Sequence, residues 1–400
     1  MNNIADTQRI HSFRFSPTSL KVYRTLKPKI NSFQLIYKTT LVMGIPIAPL
    51  NARSSCAFIL AKIWCWSIFL YKTVVLFITF SHVHRMLPGY ASLFAFYFFD
   101  SFSYISMVAI IHQRRKIYSA TKTAVELAAR IDPSMFVGSK TIQYEILLLV
   151  MSSLTIISLL IIFFFYQEWE SYIKILQAPL PVYQYTYTWI VVFSVVSLLS
   201  WSYITCFLLV LLCYNSFLAA GGLVNAYAES IRFMTCRNAL IRGLGLFREL
   251  CRSVQKVDAA FNSCVFFLFG TVVGNFFGAI SVLFSDSVSF QTPVARTYVG
   301  FTLLAGVGII FVLTIGGNTV SEGQRRLKLA LLEDSKKMSG LPPDVVRTFT
   351  MLSDNIRDFK LAVTGCEIFT VDKGLALTVG GMIITYSFLL FQFSGKPFTT

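Results

Sequence analysis

Residues 185–214 read YTYTWIVVFSVVSLLSWSYITCFLLVLLCY, an uninterrupted apolar and aromatic run without a single charge. A helix rises 1.5 Å per residue, so about 20 such residues cross a hydrocarbon core of about 30 Å. Six other stretches are similarly long and predominantly apolar: 57–80, 88–111, 142–166, 261–284, 298–320 and 372–393. In lipid each backbone N–H and C=O must find its partner within the spanning segment, which favours helices. The reading is therefore an all-α membrane protein with seven transmembrane helices. Composition agrees: the 400 residues are 55% hydrophobic and 14% charged, with a mean hydropathy of +0.64. That balance excludes a soluble enzyme, a disordered chain and a disulfide-rich secreted module.

The net charge of +16 takes its meaning from where the basic residues sit. Lys and Arg number eight before the first span, six between spans 2 and 3, six between spans 4 and 5, and eight between spans 6 and 7. The alternate segments hold one each: Arg85, Lys174, Arg296 and Lys396. Basic loops stay cytoplasmic, so the N-terminus is inside and the C-terminus outside. This orientation is the reverse of a G-protein-coupled receptor's, and it accounts for the basic excess without nucleic acid. Residues 33–49 are apolar but short, with Lys38, Pro46 and Pro49. They read as an interfacial or re-entrant helix, with an eighth span as the alternative. The first 29 residues lack the apolar core and cleavage site of a removable signal peptide.

Catalytic and metal-binding patterns are missing. No phosphate-binding loop, HExxH or GxSxG is found, so neither enzyme activity nor a cofactor is expected. His82, His84, His112 and His11 read as surface or interfacial residues. The eight cysteines fall in spans or cytoplasmic segments without ligand spacing, and read as reduced, packed thiols. Charges within spans are costly unless paired or wet. Lys72 and Asp100 lie at similar depth on antiparallel spans and are expected to pair, with Asp100 lining a ligand cavity as the alternative. Glu145 lies within one turn of the inner boundary and reaches headgroups or a cytoplasmic Arg. Gly270, Gly274 and Gly278 offer bare backbone to a neighbouring helix. Gly300, Gly306 and Gly308 do the same in span 6, and Gly316 with Gly317 is either packing or a hinge.

Two cytoplasmic connections carry helical periodicity. After Pro342, Pro343 and Asp344, apolar residues recur at Val345, Phe349, Leu352, Ile356, Phe359 and Val363. Leu240, Leu244, Phe247, Val254 and Val257 form a second stripe. Spans 4, 6 and 7 are thus expected to continue into a compact cytoplasmic helical base. The chain divides into a basic cytoplasmic segment (1–56), spans 1 to 6 with a ligand pocket (57–320), a cytoplasmic helical anchor (321–371), and span 7 with a short extracellular tail (372–400).

Span 7 ends Ile384-Thr385-Tyr386-Ser387-Phe388-Leu389-Leu390-Phe391-Gln392-Phe393. This resembles the signature of the insect gustatory receptor family, in which Thr385, Tyr386, Gln392 and Phe393 match the T-Y and Q-F pairs. The stretch from Thr364 to Phe369, followed by Asp372, is similar to the family's lead into that helix. Leu26-Lys27-Pro28 and Gly44-Ile45-Pro46 fit its opening. Ser387 departs from the acid often found there in the sweet-sensing branch.

The resemblance implies a tetrameric, ligand-gated, non-selective cation channel, related to the insect odorant receptors, in the plasma membrane of sensory neurons. Span 7 would line the pore. Leu389 would be the gate and Gln392 a polar constriction, with Phe388 and Phe393 beside them. Thr385 and Tyr386 would buttress the helix. Permeant cations and the lipid bilayer are the implied partners, with a small-molecule tastant bound in the outer half of each subunit, in a homo- or hetero-tetramer. Residues at that depth are Phe94, Tyr97, Phe163, Tyr187, Trp189, Phe193, Phe277 and Thr302, with Tyr90, Tyr166 and Tyr298 nearby. This aromatic wall favours a bitter, plant-derived organic compound. A fructose-type sugar channel and a seven-helix receptor signalling through a soluble transducer are the alternatives.

Overall fold

The computed structural model describes residues 55–86, 91–131, 184–232, 236–283, 293–337 and 342–393, with isolated positions between 33 and 47 and at 234 and 340. Span 3 and Glu145 lie outside the described residues. The described helices are α1 (Ser55–Met86), α2 (Ala91–Ile131), α3 (Gln184–Ile231), α4 (Arg237–Leu283), α5 (Pro293–Lys337), α6 (Pro343–Asp358) and α7 (Lys373–Phe393). A two-stranded antiparallel hairpin, β1 (Thr364–Gly365) and β2 (Phe369–Thr370), joins α6 to α7. Three of these helices are long and apolar enough to cross a membrane, over Tyr203–Ile231, Arg237–Ser281 and Val299–Ser335. The chain is an all-α, multi-pass membrane protein.

α2 packs along α4, and α3 along α5. Large side chains join the two pairs: Phe217 of α3 meets Phe261 of α4 edge to face at 5.9 Å, and Tyr227 of α3 donates from its hydroxyl to the Gly243 carbonyl of α4 at 2.9 Å. The helices do not stop where their apolar runs stop. α3 and α5 continue beyond their apolar runs as the sequence suggests, but α7 does not, since it starts at Lys373 after the hairpin. α2 and α4 also continue, through Arg114, Arg115 and Lys116 in one and Arg248, Arg252 and Lys256 in the other. Lys and Arg are good helix formers, so a change of solvent need not end a helix. Four helices and α6 therefore build a helical base.

α6 begins at Pro343, where a proline fits the first turn, and has Asp344 beside its positive end. It buries Val345, Phe349, Leu352 and Ile356. The apolar period outlasts the helix, which ends at Asp358. Phe359 adopts extended backbone, and Val363 is buried from the segment before β1. α5 is helical through Gly316 and Gly317, so both glycines serve packing. A Cβ at Gly316 would meet the Tyr214 ring at 3.0 Å, and one at Gly317 would collide with the Val371 carbonyl.

Candidate pore helix and its contacts

α7 starts on a capped end. The Asp372 carboxylate accepts from the Leu375 N–H at 3.2 Å and from the Thr370 hydroxyl at 3.2 Å, satisfying a free donor of the first turn. From there its two sides diverge. Leu375, Ala376, Val379, Ile383 and Tyr386 are buried or half-buried, a 3–4-residue stripe resting on α4 and α5. Thr378, Gly381, Thr385, Phe388, Leu389 and Gln392 form the opposite stripe, exposed along its length. Phe388 is 60% and Leu389 46% exposed, although both are large and apolar.

Tyr386 attaches the C-terminal half of this helix. Its ring lies 4.4 Å from the Phe277 ring of α4, and its hydroxyl is 3.2 Å from that of Ser281. Thr385 differs from its neighbour: it is exposed, and its hydroxyl donates to the Gly381 carbonyl of its own helix at 2.9 Å. Ser387 likewise returns to Ile383, at 2.8 Å. Such back-bonding satisfies a hydroxyl locally when it faces lipid or a narrow water path. Gln392 is exposed on the same face as Leu389. The side chain of Phe393 lies outside the described residues.

The attachment at its N-terminal end is the hairpin, which sequence reading did not foresee. Asp258 of α4 accepts from the Thr364 N–H at 2.6 Å, and the Thr364 hydroxyl lies 3.1 Å from both carboxylate oxygens. Gln324 of α5 donates its amide N–H to the Phe359 carbonyl and accepts from the Leu361 N–H at 3.1 Å. Gly365 is required because a Cβ there would strike the Phe369 ring.

The residues expected to bind a ligand are placed unequally. Phe277 is on α4 against Tyr386, so one of them touches the candidate pore helix directly. Thr302 of α5 is buried, and its hydroxyl is 2.8 Å from that of Tyr203, whose ring also meets Phe301 at 5.2 Å. Phe94 and Tyr97 lie on α2, and Tyr187, Trp189 and Phe193 on α3, but their side chains are outside the described residues, as are Phe163, Tyr90, Tyr166 and the side chain of Tyr298. Below this level Lys72 is buried, with its ammonium 2.9 Å from the Thr205 hydroxyl and 3.2 Å from the Met107 sulfur among its partners. The Asp100 side chain expected to pair with it is outside the described residues. The described cysteines are free thiols.

No family model matches the chain, and no curated protein does. Solved structures do. The insect olfactory receptor OR5 from Machilis hrabei in complex with eugenol superposes with a TM-score of 0.55 at 16% identity, covering 92% of this chain and 99% of that one. The same receptor's structure described without eugenol gives 0.52 at the same identity and coverage. The chain thus has the fold of an insect olfactory receptor over nearly its whole length.

Proposed function

We propose that this protein is a chemosensory receptor acting as a ligand-gated, non-selective cation channel, assembled as a tetramer with α7 of each subunit around a central pore. The observation that carries it is the division of α7 into two faces. A helix that packs one stripe on its own bundle and leaves Thr378, Thr385 and Gln392 in line on the other suits a water path shared by several copies. The olfactory-receptor fold supports the same reading. Leu389 is the gate, closing the axis by excluding water, and Gln392 supplies amide oxygens to a passing cation. Phe388 and Phe393 flank the constriction.

The TY…QF signature makes taste the modality, and the aromatic residues expected in the outer half favour a bitter, plant-derived organic compound. A ligand gates only by binding one pore state better than the other. An occupied pocket draws α4 outward, and the contact of Phe277 and Ser281 with Tyr386 passes that movement to α7. The test is calcium entry into cells expressing this chain alone, challenged with fructose, plant alkaloids, plant steroids and eugenol. A response to an alkaloid or steroid, lost in a Gln392→Lys variant that still reaches the surface, supports the reading. A response surviving with no ion flux through the purified protein contradicts it. A C-terminal tag stained on intact cells checks the proposed outside tail.

A further inference from the structure

α7 is tied to α4 at two levels, separated along α4 by about 35 Å between Asp258 and Ser281. The two ties differ in kind. The outer tie is a ring pair and a single hydroxyl contact at Tyr386. In the inner tie, a carboxylate takes both the N–H and the O–H of Thr364, and the Asn262 carbonyl accepts from the Cys366 N–H at 3.2 Å. Phe369 backs it, with its ring 5.3 Å from Phe269 and 6.4 Å from Phe266. Cys366 and Glu367 hold φ of 49° and 62°, a region that residues other than glycine keep when their surroundings enforce it. The hairpin is thus gripped by α4 on one side. α5 approaches it at Gly317 and holds the chain leading into it through Gln324.

We propose that Asp258 is a positioning residue for gating: by holding Thr364 it fixes the inner foot of α7, so that displacement of α4 at Phe277 and Ser281 tilts α7 about that foot. The inference rests on the channel reading above. A lever needs a fulcrum. With the foot held, a pull at the outer tie becomes a rotation of the Leu389 ring away from the axis. With the foot free, α7 shifts with thermal motion whatever α4 does, and opening no longer waits for a ligand.

The test is single-channel recording of the purified full chain in planar bilayers with no ligand added. Leu389→Ala serves as the control for a conducting pore. Asp258→Ala is expected to raise the unliganded open probability at least threefold, and Thr364→Val by less. The double variant should do no more than Asp258→Ala alone, because both remove one interaction. Asp258→Asn retains an acceptor for the Thr364 N–H and a donor for its hydroxyl oxygen, and should stay within twofold of the native chain. A purely structural role would change yield and melting temperature without this pattern. Hydrogen exchange at the Thr364 and Cys366 amides, faster in Asp258→Ala, verifies that the clamp has been released. If Leu389→Ala conducts while a released Asp258→Ala opens no more often than the native chain, the proposal is overturned. If Asp258→Ala does not fold, Thr364→Val decides it in the same way. Silence of every variant, Leu389→Ala included, overturns the channel reading and the fulcrum with it.

Discussion

α6 and α7 are neighbours in the chain, and they treat apolar residues in opposite ways. α6 is mostly polar, yet its four apolar anchors, Val345, Phe349, Leu352 and Ile356, are all buried within one subunit. α7 is apolar almost throughout, yet Leu377, Ile384, Phe388 and Leu389 are exposed. Burial here follows the availability of a partner. The α6 stripe finds its complement in the Arg- and Lys-bearing ends of α4 and α5, and the hydrophobic effect drives it inward. Among the described residues, the free side of α7 has no complement in its own subunit. Its surroundings are lipid, other copies or a pore. Damage to α6 should therefore appear as instability, and damage to the open side of α7 as altered function in a stable protein.

Substitutions read as thermal unfolding of the purified protein test that contrast. Leu352→Ala, at a fully buried position, should cost about 2–5 kcal/mol, since it leaves a cavity as well as losing apolar contact. A loss near zero would mean that the base is not a packed core. Gly317→Ala should cost about 1–3 kcal/mol by forcing α5 away from Val371. Tyr386→Phe keeps the ring on Phe277 and removes the hydroxyl facing Ser281, so about 0.5–1.5 kcal/mol is expected. Ser281→Ala should add little to it, because both variants remove one contact. Leu377→Ala, at an exposed position of α7, should stay within about 0.5 kcal/mol. A cost equal to that of Leu352→Ala would place Leu377 in a packed interface and erase the difference between the two helices.

The two helices also differ in how far the sequence disclosed them. The α6 stripe was legible because its 3–4 spacing repeats, but the same spacing led on to Phe359 and Val363, beyond the helix. Those two residues still turn into the protein from outside the helix, Phe359 from extended backbone, so periodicity alone could not mark the boundary. The hairpin was invisible for a local reason: strands of two residues carry no alternation, and its left-handed positions hold Cys366 and Glu367 instead of glycine. The ties of α7 were hidden for a non-local one. Thr364 meets Asp258 across 106 residues of sequence and Tyr386 meets Ser281 across 105, and neither pair is announced by its own neighbourhood. The motif did mark Tyr386 as a buttress. It also joined Thr385 to that role, although adjacent helical positions point about 100° apart, and the structure leaves Thr385 on the exposed side.

The exposed stripe of α7 is the centre of the account, and its solvent can be probed directly. Single cysteines at Thr385, Leu389 and Gln392 are compared with cysteines at Val379 and Ile383 on the packed side, using a charged, membrane-impermeant thiol reagent during current recording. If the stripe faces water between subunits, the first three react and the current falls, while the last two do not. Should none of the first three react in a chain that reaches the cell surface, that side of α7 is sealed in lipid or protein, and the pore is not there.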